Sequence, residues 1–225
     1  MISKIEKNLM DYGVVLLKDK NILRLRSSKH RIIIPNIDEN LAYLYGVICG
    51  DGCLNTPTKN KRGSYRFRVS ISIQSINYVK TISQLIKNLF NLDTTQVFDK
   101  TKYALYINSG IVFSYFNLLG VPVGKKYFKM KIPKEIKQDK KLFLQFLAGL
   151  IDTDGSVSSI IYLSQKDTNF LNEILKTSKI FGLVVDLKYS PFYIDGEIYH
   201  RYYLKFKKDD QILSLLRHPR FFKKN

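Results

Sequence analysis

The sequence predicts an α+β protein made of two similar halves, each with the element order αββαββα. An apolar helical segment that ends in Asp-Gly occurs twice, at 44–52 and again at 147–155. Each copy is followed by residues that alternate between apolar and polar, which is the pattern of half-buried strands. The same order of helix and strand patterns returns after the second copy, as expected of an internal repeat. The predicted divisions are an N-terminal extension at 1–36, a first half at 37–120, a basic linker at 121–140 and a second half at 141–225.

The composition indicates a polyanionic partner. The 225 residues carry a formal net charge of +18, which favours nucleic acid first and an anionic membrane surface second. No apolar run is long enough to span a bilayer, and the most basic patterns lie on predicted strands rather than on an amphipathic helix. We therefore expect no membrane contact.

The two cysteines, Cys49 and Cys53, have no histidine near them in sequence and are too few for a metal site. We expect them to be reduced packing residues in an intracellular protein. The abundance of Lys, Ile and Tyr is compatible with the cytoplasm or nucleoid of an archaeon, or with an organelle whose genome is rich in A and T.

The two motif helices are predicted to pack on each other. Their small residues recur at a spacing of four, as Gly46, Gly50, Gly149 and Thr153. This spacing leaves one face of each helix almost bare, so the backbones can approach closely. Asp51 and Asp154 would then lie side by side on a pseudo-twofold axis. An apolar helix that ends in Asp-Gly is also a common helix stop, but two copies in one context favour a shared acidic site.

The first half contains the clearest strand pattern in the chain. Apolar side chains alternate with Arg, Ser and Gln from 65 to 74, and no acid occurs from Thr56 to Asn91. A solvated outer face normally mixes acids with bases, so we expect DNA contact, where Arg matches guanine edges and Gln matches adenine edges. A plain solvated face is the alternative. A helix at 76–90, a hairpin turning at 99–101 and a helix at 111–119 complete the half.

The second half repeats this order with shorter connections. We expect a strand pair between Ser156 and Ser164, a helix at 168–181, a hairpin that turns at Asp195-Gly196 and a closing helix at 211–217. On the return strand, the residues predicted to point inward are Tyr202, Leu204 and Phe206.

Together the outer faces of the two antiparallel sheets would form one long saddle for a DNA major groove. The predicted DNA-binding residues are Arg66, Arg68, Ser70, Ser72, Lys102, Tyr106 and Asn108 in the first half, and Ser158, Tyr162, Ser164, Lys188, Arg201, Tyr203 and Lys205 in the second.

The extension and the linker leave alternatives open. A helix at 5–17 and a strand from Ile22 are expected in the extension, whose basic residues either lengthen a DNA footprint or belong to a solvated appendage. The linker has eight lysines between Gly120 and Lys141, and it either follows phosphates or is solvated.

Acids at the centre of a DNA saddle would repel phosphate unless they hold cations. Carboxylates with bound water suit Mg²⁺, which can bridge to a phosphate and activate water for hydrolysis. One such site for each strand predicts a double-strand break. Because the halves differ in sequence, the target should be asymmetric.

The duplicated motif resembles that of the LAGLIDADG homing endonucleases, since 147–155 matches their consensus at every position but Thr153. The resemblance implies that Asp51 and Asp154 bind Mg²⁺ or Mn²⁺, with Gly50 and Thr153 among the metal-binding positions, and that Ca²⁺ supports binding without cleavage. It implies a monomer that acts on double-stranded DNA. Because the counterpart of Asp152 is Cys49, we assign Asp152 to capping or packing.

The resemblance also implies supporting residues in each half. Gln165 and Lys166 match a Gln position at the strand-to-helix turn, with Gln74 as the first-half candidate. Lys207 fits a lysine position on the last strand, and its counterpart is Asn108, which leaves open whether both strands are cut at equal rates. Each of these side chains could instead make an ordinary phosphate contact.

Two functions compete on this scaffold. The first is a sequence-specific, metal-dependent DNA endonuclease, and the second is a non-cleaving binder, either an RNA maturase with intron RNA as its partner or a regulator. The presence of both Asp51 and Asp154 favours the endonuclease, because a pure binder need not keep acids beside phosphate. We expect a free-standing reading frame within an intron rather than an intein, since the chain starts with Met1 and lacks a His-Asn ending.

Overall fold

The computed structural model describes residues 1–25, 30–126, 129–194 and 197–219, with the backbone alone at 192–194 and 198–200. Within these ranges the chain forms three antiparallel sheets, covered by helices. The N-terminal extension contains α1 (Ile2–Met10), β1 (Leu16–Asp19), β2 (Ile22–Leu25) and β3 (Ile32–Ile33). The first half contains α2 (Glu39–Asp51), β4 (Gly52–Lys59), β5 (Tyr65–Ile73), α3 (Ile76–Phe90), β6 (Thr95–Asp99), β7 (Lys102–Ile107) and α4 (Gly110–Leu119). A short helix, α5 (Lys134–Gln138), lies in the linker. The second half contains α6 (Lys140–Asp154), β8 (Gly155–Val157), β9 (Ile160–Ser164), α7 (Thr168–Ile180), β10 (Val185–Ile194), β11 (Glu197–Lys207) and α8 (Asp210–Leu215).

The motif helices α2 and α6 pack backbone against backbone. A Cβ atom added at Gly46 would overlap the carbonyl oxygen of Phe146, and one added at Gly149 would overlap the carbonyl oxygen of Tyr43. Only glycine permits this approach, because any side chain would have to displace main-chain atoms of the other helix. The predicted close packing of the motif helices is confirmed.

The two large sheets have the same strand order, β4-β5-β7-β6 in the first half and β8-β9-β11-β10 in the second. The register aligns them residue by residue. Gly52 is opposite Ile71, which is opposite Leu105, and Gly155 is opposite Leu163, which is opposite Leu204. The α+β class with repeated antiparallel sheets is therefore confirmed.

The inner faces of the sheets form the core, and one predicted core residue falls outside it. Leu105, Leu163 and Leu204 are all fully buried. Tyr202 has the parity of the inner face, but its side chain is 38% exposed and stacks on Tyr189 with ring centroids 5.2 Å apart. The prediction that Tyr202 enters the core is wrong, because the β10–β11 hairpin extends past the helices that cover the sheet.

That hairpin is longer than its first-half counterpart. β10 has 10 residues and β11 has 11, against 5 in β6 and 6 in β7. Ile194 pairs with Glu197 across the end of the hairpin. The predicted turn residues, Asp195 and Gly196, lie outside the described residues.

The N-terminal extension is packed into the first half. Ile5, Leu9 and Leu23 are buried in its core, and the side chain of Asn8 donates a hydrogen bond to Ser114 Oγ at 2.9 Å. The predicted helix at 5–17 is too long, since α1 ends at Met10 and Gly13 adopts a positive φ of 69° before β1. A positive φ favours glycine and stops a helix.

No helix in the described part of the chain has the length and apolarity needed to cross a membrane.

Candidate functional site

The two motif acids meet at the ends of the packed helices. Asp51 is the last residue of α2 and Asp154 is the last residue of α6. A Cβ atom added at Gly50, next to Asp51, would lie only 3.0 Å from Asp154 Oδ2. The same Cβ atom would overlap the Thr153 side chain, whose hydroxyl donates to the carbonyl oxygens of Leu150 and Gly149 at 2.9 and 3.2 Å. The structure thus brings together the four residues predicted around the metal site.

Asp154 opens onto the outer face of the second-half sheet. Its carboxylate accepts a hydrogen bond from the side-chain amide of Gln165. The cleft around it is lined by Tyr162, Ser164, Arg201 and Tyr203, among others. One predicted supporting residue therefore touches its acid, and four predicted DNA-binding residues surround it.

Asp51 opens onto a second cleft with a different lining. Ser72, Gln74 and Lys102 line it from the first-half sheet and its end, and Tyr78 lines it from α3. His218, near the C-terminus, lines the same cleft together with Asp152 and Thr153. Each acid therefore has its own cleft, and the two clefts adjoin at the helix ends.

The sheet register settles which residues correspond in the two halves. Counting from the aligned pairs Ile71/Leu163 and Leu105/Leu204, Lys102 corresponds to Arg201, which places one base beside each acid. Ser75 corresponds to Asp167, and each caps the helix that follows it.

By the same count the first-half counterpart of Gln165 is the buried Ile73, and that of Lys166 is Gln74. Gln165 and Gln74 are therefore not equivalent. Lys166 is exposed and does not line the Asp154 cleft.

Lys207 lies away from the acid it was predicted to support. It pairs with Ile160, whereas Gly155, next to Asp154, pairs with Leu163. This offset of three residues along β9 corresponds to about 10 Å. Its register counterpart, as predicted, is Asn108, which accepts from Arg68 Nε at 3.2 Å and donates to Thr95 Oγ1 at 3.3 Å.

Most predicted DNA-binding residues lie on the outer faces of the sheets. Directly paired residues of antiparallel strands share a face, and the pairs Ser70–Tyr106, Tyr162–Lys205 and Lys188–Tyr203 place these side chains outward. Arg66, Arg68 and Ser72 share the outward parity of Ser70 on β5, and Ser158 lies exposed between β8 and β9.

Several outer side chains are held in place by their neighbours. The Arg68 guanidinium lies 4.3 Å from the Tyr106 ring centroid, and Ser70 Oγ donates to Asn55 Oδ1 at 2.8 Å. Tyr162 and Tyr203 make an edge contact with ring centroids 5.7 Å apart. Such contacts reduce the side-chain freedom that binding would otherwise have to remove.

Sequence reasoning missed Lys126. Its ammonium donates to the carbonyl oxygens of Ile48, Cys49 and Gly50 at 2.9, 2.8 and 2.6 Å. It therefore caps the C-terminal end of α2, where helix carbonyls lack intrahelical partners and the dipole favours a cation. Burial lowers the pKa of Lys126, while nearby Cys49 and Asp154 oppose that shift. The only sequence signal was the basic character of the linker.

Asp152 is a packing residue, in agreement with its predicted role. It is 1% exposed, and its Oδ2 accepts from the Tyr43 hydroxyl at 2.5 Å and from the Arg217 backbone N–H at 2.6 Å. The Tyr43 hydroxyl also lies 2.8 Å from that of Tyr78, and the Arg217 guanidinium lies 4.1 Å from the Tyr43 ring centroid. Burial raises the pKa of Tyr43, so its phenol stays protonated within this network.

The Asp152 network explains why the last helix is shorter than predicted. α8 ends at Leu215 instead of Arg217, because the Arg217 backbone N–H turns to Asp152. The turn carries His218 to the Asp51 cleft.

The two cysteines are free thiols, as predicted. Cys49 is buried in α2, and burial raises its pKa to about 12, so it remains protonated. Cys53 lies on β4 and its thiol contacts the Gly124 carbonyl oxygen at 3.7 Å.

The donor set at the helix ends fits a hard cation. Among the described residues, no group of three or more His, Cys, Asp or Glu side chains could hold a metal ion by itself. Two carboxylates form an incomplete set, which suits Mg²⁺ because this ion keeps several waters and takes phosphate oxygens as further ligands. The Gly50 carbonyl oxygen, within a predicted metal-binding position, already accepts from Lys126.

The fold and the paired acids define the LAGLIDADG homing endonuclease class, and comparison with known proteins supports the assignment. The family described as "Homing endonuclease" matches residues 131–225. The structure of I-DmoI in complex with DNA and Ca covers 79% of this chain and 87% of that chain, with a TM-score of 0.58 and 22% identity. I-DmoI in complex with DNA and Mn covers 79% of this chain and 94% of that chain, with a TM-score of 0.55 and 23% identity.

A sequence relative is found within the A-type ATP synthase of the archaeon Pyrococcus abyssi. One of its polypeptides is 31% identical to this chain over 127 residues, which are 56% of this chain but only 12% of that protein. The similarity to the LAGLIDADG homing endonucleases that the two motifs indicated is thus confirmed by the family match in the second half and by the shared fold.

Proposed function

We propose that this protein is a divalent-metal-dependent endonuclease that cuts both strands of double-stranded DNA at a long, asymmetric site. The observation that carries the proposal is the meeting of Asp51 and Asp154 at the ends of two packed helices, between clefts that each contain a base. A scaffold that only bound DNA would gain nothing from two carboxylates at this place, because they repel phosphate.

The outer faces of the two sheets supply binding. A formal net charge of +18 favours association with DNA through release of counterions. Contacts to phosphate hold the duplex, and side chains such as Arg66 and Arg68 on β5 select bases in the major groove. The halves carry different outer side chains, so the preferred site is asymmetric.

The acids supply the catalytic site. Asp51 and Asp154 would hold Mg²⁺ or Mn²⁺, which when bound provides an activated water and stabilises the charge of the leaving oxygen. Gln165 orients the Asp154 carboxylate. Lys126 secures the last turn of α2 and therefore the position of Asp51. Lys102 and Arg201 each lie in one cleft, where they can neutralise the phosphate that faces the acid.

The relatives support this proposal without deciding it. I-DmoI is a homing endonuclease whose structures contain DNA with Ca or with Mn. We extend double-stranded DNA, divalent metal and a monomeric state to this chain on the basis of the shared fold and the paired acids. We further propose that the protein is encoded within an intron and acts inside an archaeal cell or an organelle.

The test needs no known target. The protein is incubated with a large randomised duplex library in Mg²⁺, in Ca²⁺ or in EDTA, and both bound and cut molecules are sequenced. We expect one long asymmetric motif in the bound and cut pools, with cut ends in Mg²⁺ alone. The matched control is the Asp51→Asn/Asp154→Asn variant, which should select the same motif in Ca²⁺ and yield no cut ends in Mg²⁺.

Other outcomes would replace the proposal. Enrichment of bound duplexes without cut ends would indicate a DNA-binding regulator. Failure to select any duplex, followed by binding of intron transcripts, would indicate an RNA maturase.

A further inference from the structure

The N-terminal extension carries a basic surface of its own. In its small sheet, Leu17 pairs with Arg24 and Leu23 pairs with Ile32, so Arg31 follows next to Arg24 on the outer face. Arg24 and Arg31 are exposed, and they line a shallow cleft together with Lys18, Leu17, Asp19 and Ile22. The cleft therefore has three bases and one acid.

A second cleft connects this surface to the outer face of the first-half sheet. It is lined by His30, Arg31, Lys87, Asn91, Leu92, Asp93 and Asn108. Arg31 lines both clefts, and Asn108 is hydrogen-bonded to Arg68 on the outer face of the sheet. Asp93, the acid of this cleft, is ion-paired with Lys87 at 2.9 Å.

The connection lies at the end of the first-half sheet that is remote from Asp51. Asn108 follows the last residue of β7, whereas Lys102, which lines the Asp51 cleft, begins that strand. A duplex that follows the outer face from the acids toward Asn108 would next meet Arg31 and then Arg24.

The extension holds these arginines in a fixed position. The Tyr12 ring contacts those of Tyr65 and Phe67, with centroids 5.0 Å apart in each case. Asn91 donates to the Arg31 carbonyl oxygen at 3.4 Å. A rigidly placed basic surface loses less entropy on binding than one on a loose segment.

We propose that the N-terminal extension is a DNA-backbone clamp, in which Arg24 and Arg31 bind phosphates beyond the end of the first-half sheet. The guanidinium fork suits phosphate oxygens and supplies affinity independent of sequence. This inference rests on the proposed function, because it requires that a duplex lies along the sheets. It makes the footprint longer at the first-half end than the sheet alone would.

The test is hydroxyl-radical footprinting in Ca²⁺ on the duplex recovered from the library, embedded in longer DNA. We compare the wild type with Arg24→Ala/Arg31→Ala. The variant should lose backbone protection at one end of the footprint only, and the slope of log Kd against log salt should fall by about 1.8, or ~0.9 for each phosphate contact. Cleavage at the centre in Mg²⁺ should persist, which shows that the variant is folded.

The matched control is Lys4→Ala/Lys7→Ala, which removes the same charge from exposed positions of α1 in the same extension. It should keep the full footprint. The inference fails if Arg24→Ala/Arg31→Ala protects the same backbone as the wild type, or if both variants lose affinity equally without a change in footprint. A wild type that protects no DNA at all would instead overturn the proposed function.

Discussion

The two acid clefts lie in sheets of the same strand order, yet their surroundings differ. Asp154 accepts a hydrogen bond from Gln165 and faces Arg201 and two tyrosines. Asp51 faces Lys102 and Gln74, and its cleft is closed by Tyr78 and His218. The repeated fold thus places an acid and a base at the same point of each half, while the remaining side chains around each acid have diverged.

The difference arises from segments that have no counterpart in the other half. The residues after α8 turn back across the motif helices and bring His218 to Asp51. Gln165 reaches Asp154, whereas its register counterpart in the first half is the buried Ile73. We therefore expect the two strands of a DNA target to be cut at unequal rates, as the sequence left open.

The largest effect should come from removing one acid at a time. Asp51→Asn and Asp154→Asn should each slow cleavage of a different strand by at least about 100-fold, since loss of a metal ligand removes several kcal/mol of transition-state stabilisation. A supercoiled plasmid with one target should be nicked rather than linearised, while binding in Ca²⁺ persists. Asp11→Asn, at an exposed acid in the extension, should linearise the plasmid normally. Linear product at the wild-type rate from both motif variants would refute the assignment of the acids.

The joint between the halves should be equally sensitive from either side. Gly46→Ala and Gly149→Ala would each force a Cβ into a carbonyl oxygen of the other motif helix, which should cost about 3 kcal/mol or more, the upper part of the range for overpacking. Thermal unfolding should show a similar loss for both. Gly13→Ala, whose Cβ would have no atom within 4 Å, should lose only about 1 kcal/mol from its positive φ. Wild-type stability in either motif variant would contradict the packing.

The two glutamines should separate the halves. Gln165→Ala should slow the strand that depends on Asp154 by roughly 10- to 100-fold, the usual cost of losing a partner that orients a metal ligand. Gln74→Ala should have a smaller effect on the other strand, because Gln74 corresponds to Lys166 in register. Strand-resolved single-turnover rates would measure both. Equal effects would mean that the two glutamines have the same role despite their different positions.

The smallest effect concerns the base that serves Asp154. Arg201→Ala should slow the Asp154-dependent strand about tenfold, as expected from one lost hydrogen bond to a charged group. Lys207→Ala should change that rate less, because Lys207 lies about 10 Å further along the sheet. The same strand-resolved assay compares them. A larger loss for Lys207→Ala would restore the lysine position that the family resemblance implied.

The sequence by itself was sufficient for the features that rest on local pattern. Small residues four apart predicted the close helix pair of Gly46 and Gly149, and period-two alternation assigned the inner and outer faces of β5. These predictions succeed because the spacing of side chains within one helix or strand determines which face they share. The fold class followed from the repetition of such patterns.

The tertiary structure decided what surrounds each acid. Lys126 caps a helix that ends 75 residues earlier, at Asp51, and the bases beside the two acids were identified only by the strand register. His218 reaches Asp51 by a turn that depends on Asp152, and the extension became part of the first half by burying Ile5 and Leu9. None of these neighbours is close in sequence, and a register shift of one residue would have turned each strand residue to the other face. The acids were therefore recognisable in the chain, whereas their partners depend on strand register and on the path of distant segments.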